Sequence, residues 1–353
     1  MHGAVNYMEM ITFDECFSFE HLMESAKDCL RGVKWKPSTQ CFEVELLERV
    51  CVLKMELDNE TYRSKGFHSF DIWERGKKRH IQSVHISERV VQKCLCNYCL
   101  KPILEPCLIS TNSASQKGKG TDYALKHLTE DLRWHYARYG TEGGILIGDF
   151  HNFFGSISHR ILERMLYKKI KDRKLLGLTI YFIRCFEGDY GLGLGSEVSQ
   201  ILAIYYPNTM DHGIKERFGI HGYGRYNDDF YVIYQDVGYL KEIEKYVYAE
   251  AERLELTLNP DKTNIVRLDQ HFTWLKKRIH FSDTGKVVMR LVPKNIKGRR
   301  ACIRKAYKDG RPRAAIDQSR VSWEGYAMKY NGYRSVMSMT EYERRIADDK
   351  ERN

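Results

Sequence analysis

Asp228 and Asp229 stand side by side within GRYNDDFYVIYQD, residues 224 to 236. Tyr226 precedes them, and Phe230, Tyr231, Val232, Ile233 and Tyr234 follow, all residues that favour strands. Asn227 and the acids are turn formers, so the stretch predicts a hairpin with two like charges at its tip. Taken alone, the pair reads first as an ordinary turn, and the rest of the chain has to decide whether it is more. A second stretch bears on this. EGGILIGDF predicts a buried strand through Ile145, Leu146 and Ile147 that ends on Asp149. If that strand and the hairpin share a sheet, three carboxylates converge at one edge. There they repel strongly unless cations sit between them.

The rest of the chain mixes helical and extended patterns. The first ~65 residues predict amphipathic helices, notably FEHLMESAKDCL and FEVELLERVCVLKMEL. A polar, basic stretch follows, WERGKKRHIQSVHISERVVQ. Val90, Val91, Leu95, Leu100, Ile103 and Leu104 then keep a helical rhythm up to Pro106. This segment contains Cys94, Cys96, Cys99 and Cys107. They read as a zinc or iron–sulfur site, or as small apolar residues of a buried helix, and the rhythm favours the helix. SASQKGKGTDYALKHL leads into a helix with Thr121 or Asp122 as its cap. Its GKGT lacks the spacing of a P-loop. Further helices are predicted to start at about Ser158 and near Ser196 to Ser199, and another to run over about 238–254. HFTWLKKRIHFSDTGKVVMRL predicts a short strand pair. Helices and strands alternate without a βαβ rhythm, so the fold class is α+β.

Composition narrows the class of function. Hydrophobic residues make up 42% and charged residues 29%, which suits a globular chain. No apolar run approaches the ~18 residues that cross a bilayer. MHGAVNYMEMITFDEC has acids where a signal peptide would be apolar. The chain is therefore expected in the cytoplasm, away from membranes, with its ten cysteines reduced. The net charge is +10 and is concentrated. Between Pro293 and Arg334, twelve Lys and Arg face three acids, Asp309, Asp317 and Glu324. Tyr307, Trp323, Tyr326, Tyr330 and Tyr333 are interleaved. Positive charge with planar rings suits a polyphosphate backbone and its bases.

Three acids at one sheet edge, with two magnesium ions roughly 4 Å apart, would suit nucleotidyl transfer. The ions would activate a 3′-hydroxyl and stabilise the leaving pyrophosphate. Carboxylate oxygens are ligands for Mg2+, with Mn2+ as the alternative ion. The motifs carry the reading further. YNDD resembles the Tyr-x-Asp-Asp signature of reverse transcriptases, and GDFHNFFGSISHRIL resembles their motif A. GLGLGSEVSQILAIYYPN resembles motif B, LTLNPDKT motif D, and FTWLKKRI, more loosely, motif E. KKRHIQSVHISERVVQ resembles the fingers segment that holds the triphosphate. The six stretches follow family order over residues 77 to about 280. Ser199-Gln200 resembles the diversity-generating, abortive-infection and defence-associated bacterial and phage groups. Gly195-Ser196 departs from the Gly-Asn usual in the diversity-generating type and favours a phage or antiviral defence setting.

The resemblance implies a right-hand polymerase with fingers, a palm with helices on one face of an antiparallel sheet, and a basic helical thumb. It divides the chain into an N-terminal extension (1–76), fingers and palm (77–292) and thumb with tail (293–353). Asp149, Asp228 and Asp229 would hold the metals with the carbonyl of Phe150, and Lys262 would act as general acid on pyrophosphate. Arg79 and Arg89, with Lys78 as an alternative, would grip the triphosphate. Phe154 would stack under the sugar and exclude a 2′-hydroxyl, with Phe153 in the core. Gln200 would touch the nascent base pair, and Trp274 and Leu275 would support the primer end. His151 and His159 read as structural. Gly191, Gly193 and Gly195 give close backbone approach rather than a dinucleotide site.

The implied partners are an RNA template, which could be a dedicated structured non-coding RNA, a DNA or RNA primer, and deoxynucleoside triphosphates, with room for an accessory protein. Two alternatives stand beside RNA-directed DNA synthesis. One is untemplated or protein-primed synthesis. The other is an RNA-binding scaffold or sensor on the same fold.

Overall fold

Apolar spacing sets the first helices. Phe19–Leu30 buries Leu22, Ala26, Cys29 and Leu30, and Leu46–Asp58 buries Val50, Leu53 and Leu57, each along one face. The computed structural model describes residues 11–74 and 77–351, so the first ten residues of MHGAVNYMEMITFDEC lie outside it. The polar stretch after residue 66 is a hairpin. Phe67–Glu74 (β1) pairs antiparallel with Lys77–Val84 (β2). The boundary expected between residues 76 and 77 falls between these two paired strands, and residue 76 lies outside the described residues.

Ile86–Leu95 (α1) runs on through a π-helical turn, Cys96–Leu100, and Lys101–Leu104. Cys94, Cys96 and Cys99 are buried, and all ten cysteines are free. Among the described residues no group of three or more His, Cys, Asp or Glu is placed to hold a metal ion. The cysteines of this segment pack as small apolar groups. Thr121–Tyr139 (α2) differs from its expected start. Gly120 is the cap, and Thr121 and Asp122 are its first helical residues. Asp122 instead accepts from Lys329 and from the Tyr330 hydroxyl, each at 3.0 Å.

The central sheet holds Gly144–Asp149 (β3), Gly222–Tyr226 (β4), Asp229–Tyr234 (β5) and Asn264–Arg267 (β6), in the order β4-β5-β3-β6. All its pairings are antiparallel. Two-residue periodicity divides it. Ile145, Ile147, Tyr231 and Ile233 face a core with Leu125, Leu128 and Leu132 of α2. Leu146, Phe230 and Val232 face the larger core, with Leu240, Ile243 and Val247 of Val237–Arg253 (α4) and with Ile201 and Leu202 of Glu197–Tyr205 (α3). The sheet therefore carries helices on both faces, not on one as expected. The cause is visible in β3, which is buried at every position.

The predicted strand pair after residue 271 is a three-stranded antiparallel sheet of Phe272–Trp274 (β7), Lys277–Phe281 (β8) and Val287–Leu291 (β9). It packs on the α2 side of the central sheet through Trp274 and Ile279. The basic segment then folds as three helices, Pro293–Lys308 (α5), Arg313–Met328 (α6) and Tyr333–Glu351 (α7), around Ile303, Tyr307, Ile316 and Met339. No helix among the described residues is long and apolar enough to cross a membrane.

Candidate active site

The register of the central sheet brings the acids together. Asp149, at the end of β3, lies directly opposite Asp229, at the start of β5. Directly opposed residues share a face, with Cβ atoms roughly 5 Å apart. Tyr226 pairs with Asp229, so Asn227 and Asp228 form a two-residue turn between β4 and β5. Asn227 takes φ +53°, a left-handed conformation that Asn tolerates better than most residues. The Phe150 N–H donates to the Asp228 carbonyl at 3.2 Å and ties the turn to the end of β3.

Burial and mutual repulsion raise the acids. Asp229 is pushed up to about 8 by burial, then by the charges of Asp228 and Asp149. Burial and Asp149 also raise Asp228, against the nearby positive charges of Lys262 and Arg79. The Lys262 ammonium lies 2.6 Å from Asp149 Oδ2, and the Asn259 amide donates to the same oxygen at 3.3 Å. Burial would lower Lys262, but the bond to Asp149 and the charges of all three acids outweigh it. Lys262 therefore stays cationic and supplies part of the counter-charge. Its loop is anchored to β3, because the Asn259 N–H donates to the Asp149 carbonyl at 2.7 Å and the His151 N–H to the Thr257 carbonyl at 2.7 Å. These two bonds flank the Phe150–Leu258 bridge and leave the Phe150 carbonyl outside that ladder.

Two residues beside the acids in the sequence were missed by sequence reasoning. A Cβ on Gly148 would lie 2.0 Å from Phe230 Cζ, so glycine lets the Phe230 ring cross β3 beside Asp149. Arg225 is fully buried against fully buried Asp211, with Nη2 2.6 Å from Oδ2 and Nε 2.8 Å from Oδ1. The signal for Gly148 was its place before Asp149 in an otherwise apolar strand. Arg225 was visible as a charge inside the strand run before YNDD.

The other expected site residues divide into groups. Arg79, on β2, lies near enough to act on Asp228. Lys78 pairs instead with Asp71 at 2.8 Å. Phe153 is buried and stacks on Phe150, whereas Phe154 is half-buried and meets the Phe153 ring edge-on at 5.6 Å. Trp274 is buried and meets Tyr231 edge-on at 4.9 Å, two residues along β5 from Asp229. Its Nε1 has no acceptor among the described residues. Leu275 sits in the adjoining turn. Arg89 and Gln200 line a separate cavity of about 340 Å³ with Gln92, Lys101 and Glu197. None of the three acids lines that cavity. His159 is buried and its Nε2–H donates to the Gly191 carbonyl at 2.7 Å, and His151 is exposed. At Gly195, φ is +120° and a Cβ would lie 2.9 Å from the Gln82 carbonyl, so the glycine loop packs closely on β2.

No family model matches the chain. No curated protein sequence matches it. Among solved structures, telomerase from Candida albicans, in complex with a TWJ fragment of telomeric RNA, is similar at 11% identity and a TM-score of 0.49. The match covers 69% of this chain and 49% of that one, so the chain spans about half the length of that structure.

Proposed function

We propose that this chain is an RNA-directed DNA polymerase, with β3 to β6 as its palm, β1 and β2 in its fingers and α5 to α7 as its thumb. The observation that carries the reading is the register that sets Asp149 opposite Asp229 with Asp228 on the adjoining turn. The six motif resemblances, in family order, support it. The donor chemistry suits a hard divalent ion, three carboxylates in mutual repulsion and a carbonyl outside the local ladder, although among the described residues no three such groups are placed to hold one as they stand. Mg2+ at Asp149, Asp228, Asp229 and the Phe150 carbonyl would supply Lewis-acid activation of a 3′-hydroxyl and charge neutralisation at pyrophosphate.

The chain's own residues would do the rest. Lys262, kept cationic by the acids, would give its proton to the leaving group. Phe154 would select deoxynucleotides, Arg79 and Arg89 would bind triphosphate, and Gln200 would meet the base pair at the cavity it shares with Arg89. Trp274, packed on Tyr231, and Leu275 in the adjoining turn would support the primer. We place the enzyme in a phage or antiviral defence setting, on the Gly195-Ser196 departure.

Primer extension on a defined RNA template tests the reading. Asp228→Asn with Asp229→Asn is expected to abolish extension while RNA binding survives. Extension by the double variant would overturn the site. Product that ignores the supplied template would point to untemplated synthesis. Zero incorporation by the unaltered chain, with tight salt-sensitive RNA binding, would point to a scaffold.

A further inference from the structure

The Arg225–Asp211 pair lies behind the hairpin that carries Asp228, and its hydrogen bonds reach three separate segments. Both side chains are fully buried. The Arg225 guanidinium donates through Nε and Nη2 to Asp211, and through Nη2 to the Ile204 carbonyl at 2.7 Å, near the end of α3. Through Nη1 it donates to the Asn227 carbonyl at 2.9 Å. The Tyr223 hydroxyl donates to Asp211 at 2.5 Å. The Arg225 backbone is held as well. Its N–H donates to the Thr111 carbonyl at 3.2 Å, and its carbonyl accepts from Ser113 at 2.9 Å.

A fully buried ion pair is rarely kept for stability alone, since apolar groups of similar volume often do as well. What apolar groups cannot do is hold a carbonyl. The Asn227 carbonyl is half of the two-residue turn whose other residue is Asp228. A planar guanidinium with several fixed donors can grip a carboxylate and two carbonyls at once, and an ammonium cannot match that geometry. We propose that Arg225 is a positioning residue: through the Asn227 carbonyl it fixes where Asp228 stands relative to Asp149. Asp211, oriented by Tyr223, holds Arg225 in turn. The inference rests on the reading of the three acids as a metal site.

Two measurements on the full chain test it. The first variant is Arg225→Lys. The second is Asp211→Leu with Tyr223→Phe and Arg225→Met, which replaces the network by apolar groups and keeps the core filled. Amide hydrogen exchange reports the turn without any metal, through the Phe150 N–H that donates to the Asp228 carbonyl. Exchange of that amide is expected to quicken at least tenfold in either variant, relative to buried amides of α4. Mn2+ alone, titrated by electron paramagnetic resonance, is expected to bind at least tenfold more weakly to folded variant than to the unaltered chain. If either variant folds with the Phe150 amide as protected as before and Mn2+ affinity within twofold, the pair is merely structural and the proposal fails. If the unaltered chain takes up no Mn2+, the metal reading fails, and the exchange result still decides whether Arg225 holds the turn.

Discussion

The Asp131 carboxyl, on α2, accepts from the Tyr231 hydroxyl at 2.7 Å and lies 3.6 Å from His221 Nδ1. It is 6% exposed, and burial pushes it up to about 6, with Glu130 adding and Tyr231 and Lys215 opposing. A carboxyl raised in the folded state binds its proton more tightly there than in the unfolded chain. Its stabilising contribution is therefore complete below the ordinary value of 3.8 and lost as pH rises through about 6. At pH 8 the buried charge should cost about 1–3 kcal/mol. Asp131→Asn keeps an acceptor for Tyr231 and removes that charge. Urea melts are expected to show a gain of about this size at pH 8 and little at pH 4. A loss of stability at pH 8 would mean that the charge is held by more than its partners suggest.

The turn between β7 and β8 is strained at the level of the element. Trp274 pairs with Lys277, and the two turn residues, Leu275 and Lys276, take φ +44° and +62°. Such a turn suits Asn-Gly, because residues with a Cβ strain in the left-handed region. Lys276→Gly is expected to stabilise the chain by about 0.5–1 kcal/mol in a denaturant melt. An unchanged midpoint would show that contacts of Lys276 already offset the strain. This turn also shows what the sequence conveyed. Trp274 and Leu275 were legible as a hairpin through alternating apolar residues, but nothing in Leu-Lys announces a left-handed turn. The facing of Asp149 and Asp229 was legible because each ends or begins an apolar run, and two such runs pair most readily with each other. The β1–β2 hairpin was not legible as strands. Its side chains are largely exposed, as at His68, Asp71 and His80, so no buried face imposed a two-residue alternation. Arg225 was overlooked for the opposite reason: a lone charge in a strand reads as a surface position until its buried partner, fourteen residues earlier, is brought beside it.

Across the whole molecule, the excess charge is not equally available. Arg313 and Arg320, counted in the basic segment, face Asp317 and the buried Glu343, and Arg320 also bonds Glu324. Lys329 is committed to Asp122 on α2. Lys294, Lys297, Lys305 and Lys308 are exposed instead, as is Arg304, although its Nη2 donates to the Tyr342 hydroxyl of α7 at 2.9 Å. Spaced three, seven, one and three residues apart in chain order, they fall on one side of α5, away from Ile303 and Tyr307, which are buried. On the proposed function, the positive charge that a nucleic acid would reach is therefore one face of α5 together with the exposed Arg311 and Arg334, not the whole basic segment. Each phosphate contact contributes roughly 0.7 to 0.9 to the slope of log affinity against log salt. Lys297→Gln with Lys305→Gln is expected to flatten that slope for RNA by about 1.4 to 1.8 and to leave stability nearly unchanged. Arg320→Gln is expected to do the reverse. It should leave the slope in place and lower stability by about 1–3 kcal/mol, because Glu343 loses a cationic partner inside the helical core. Equal slopes for the lysine variant and the unaltered chain would remove α5 from the nucleic-acid surface and return the charge of this segment to the packing of its own helices.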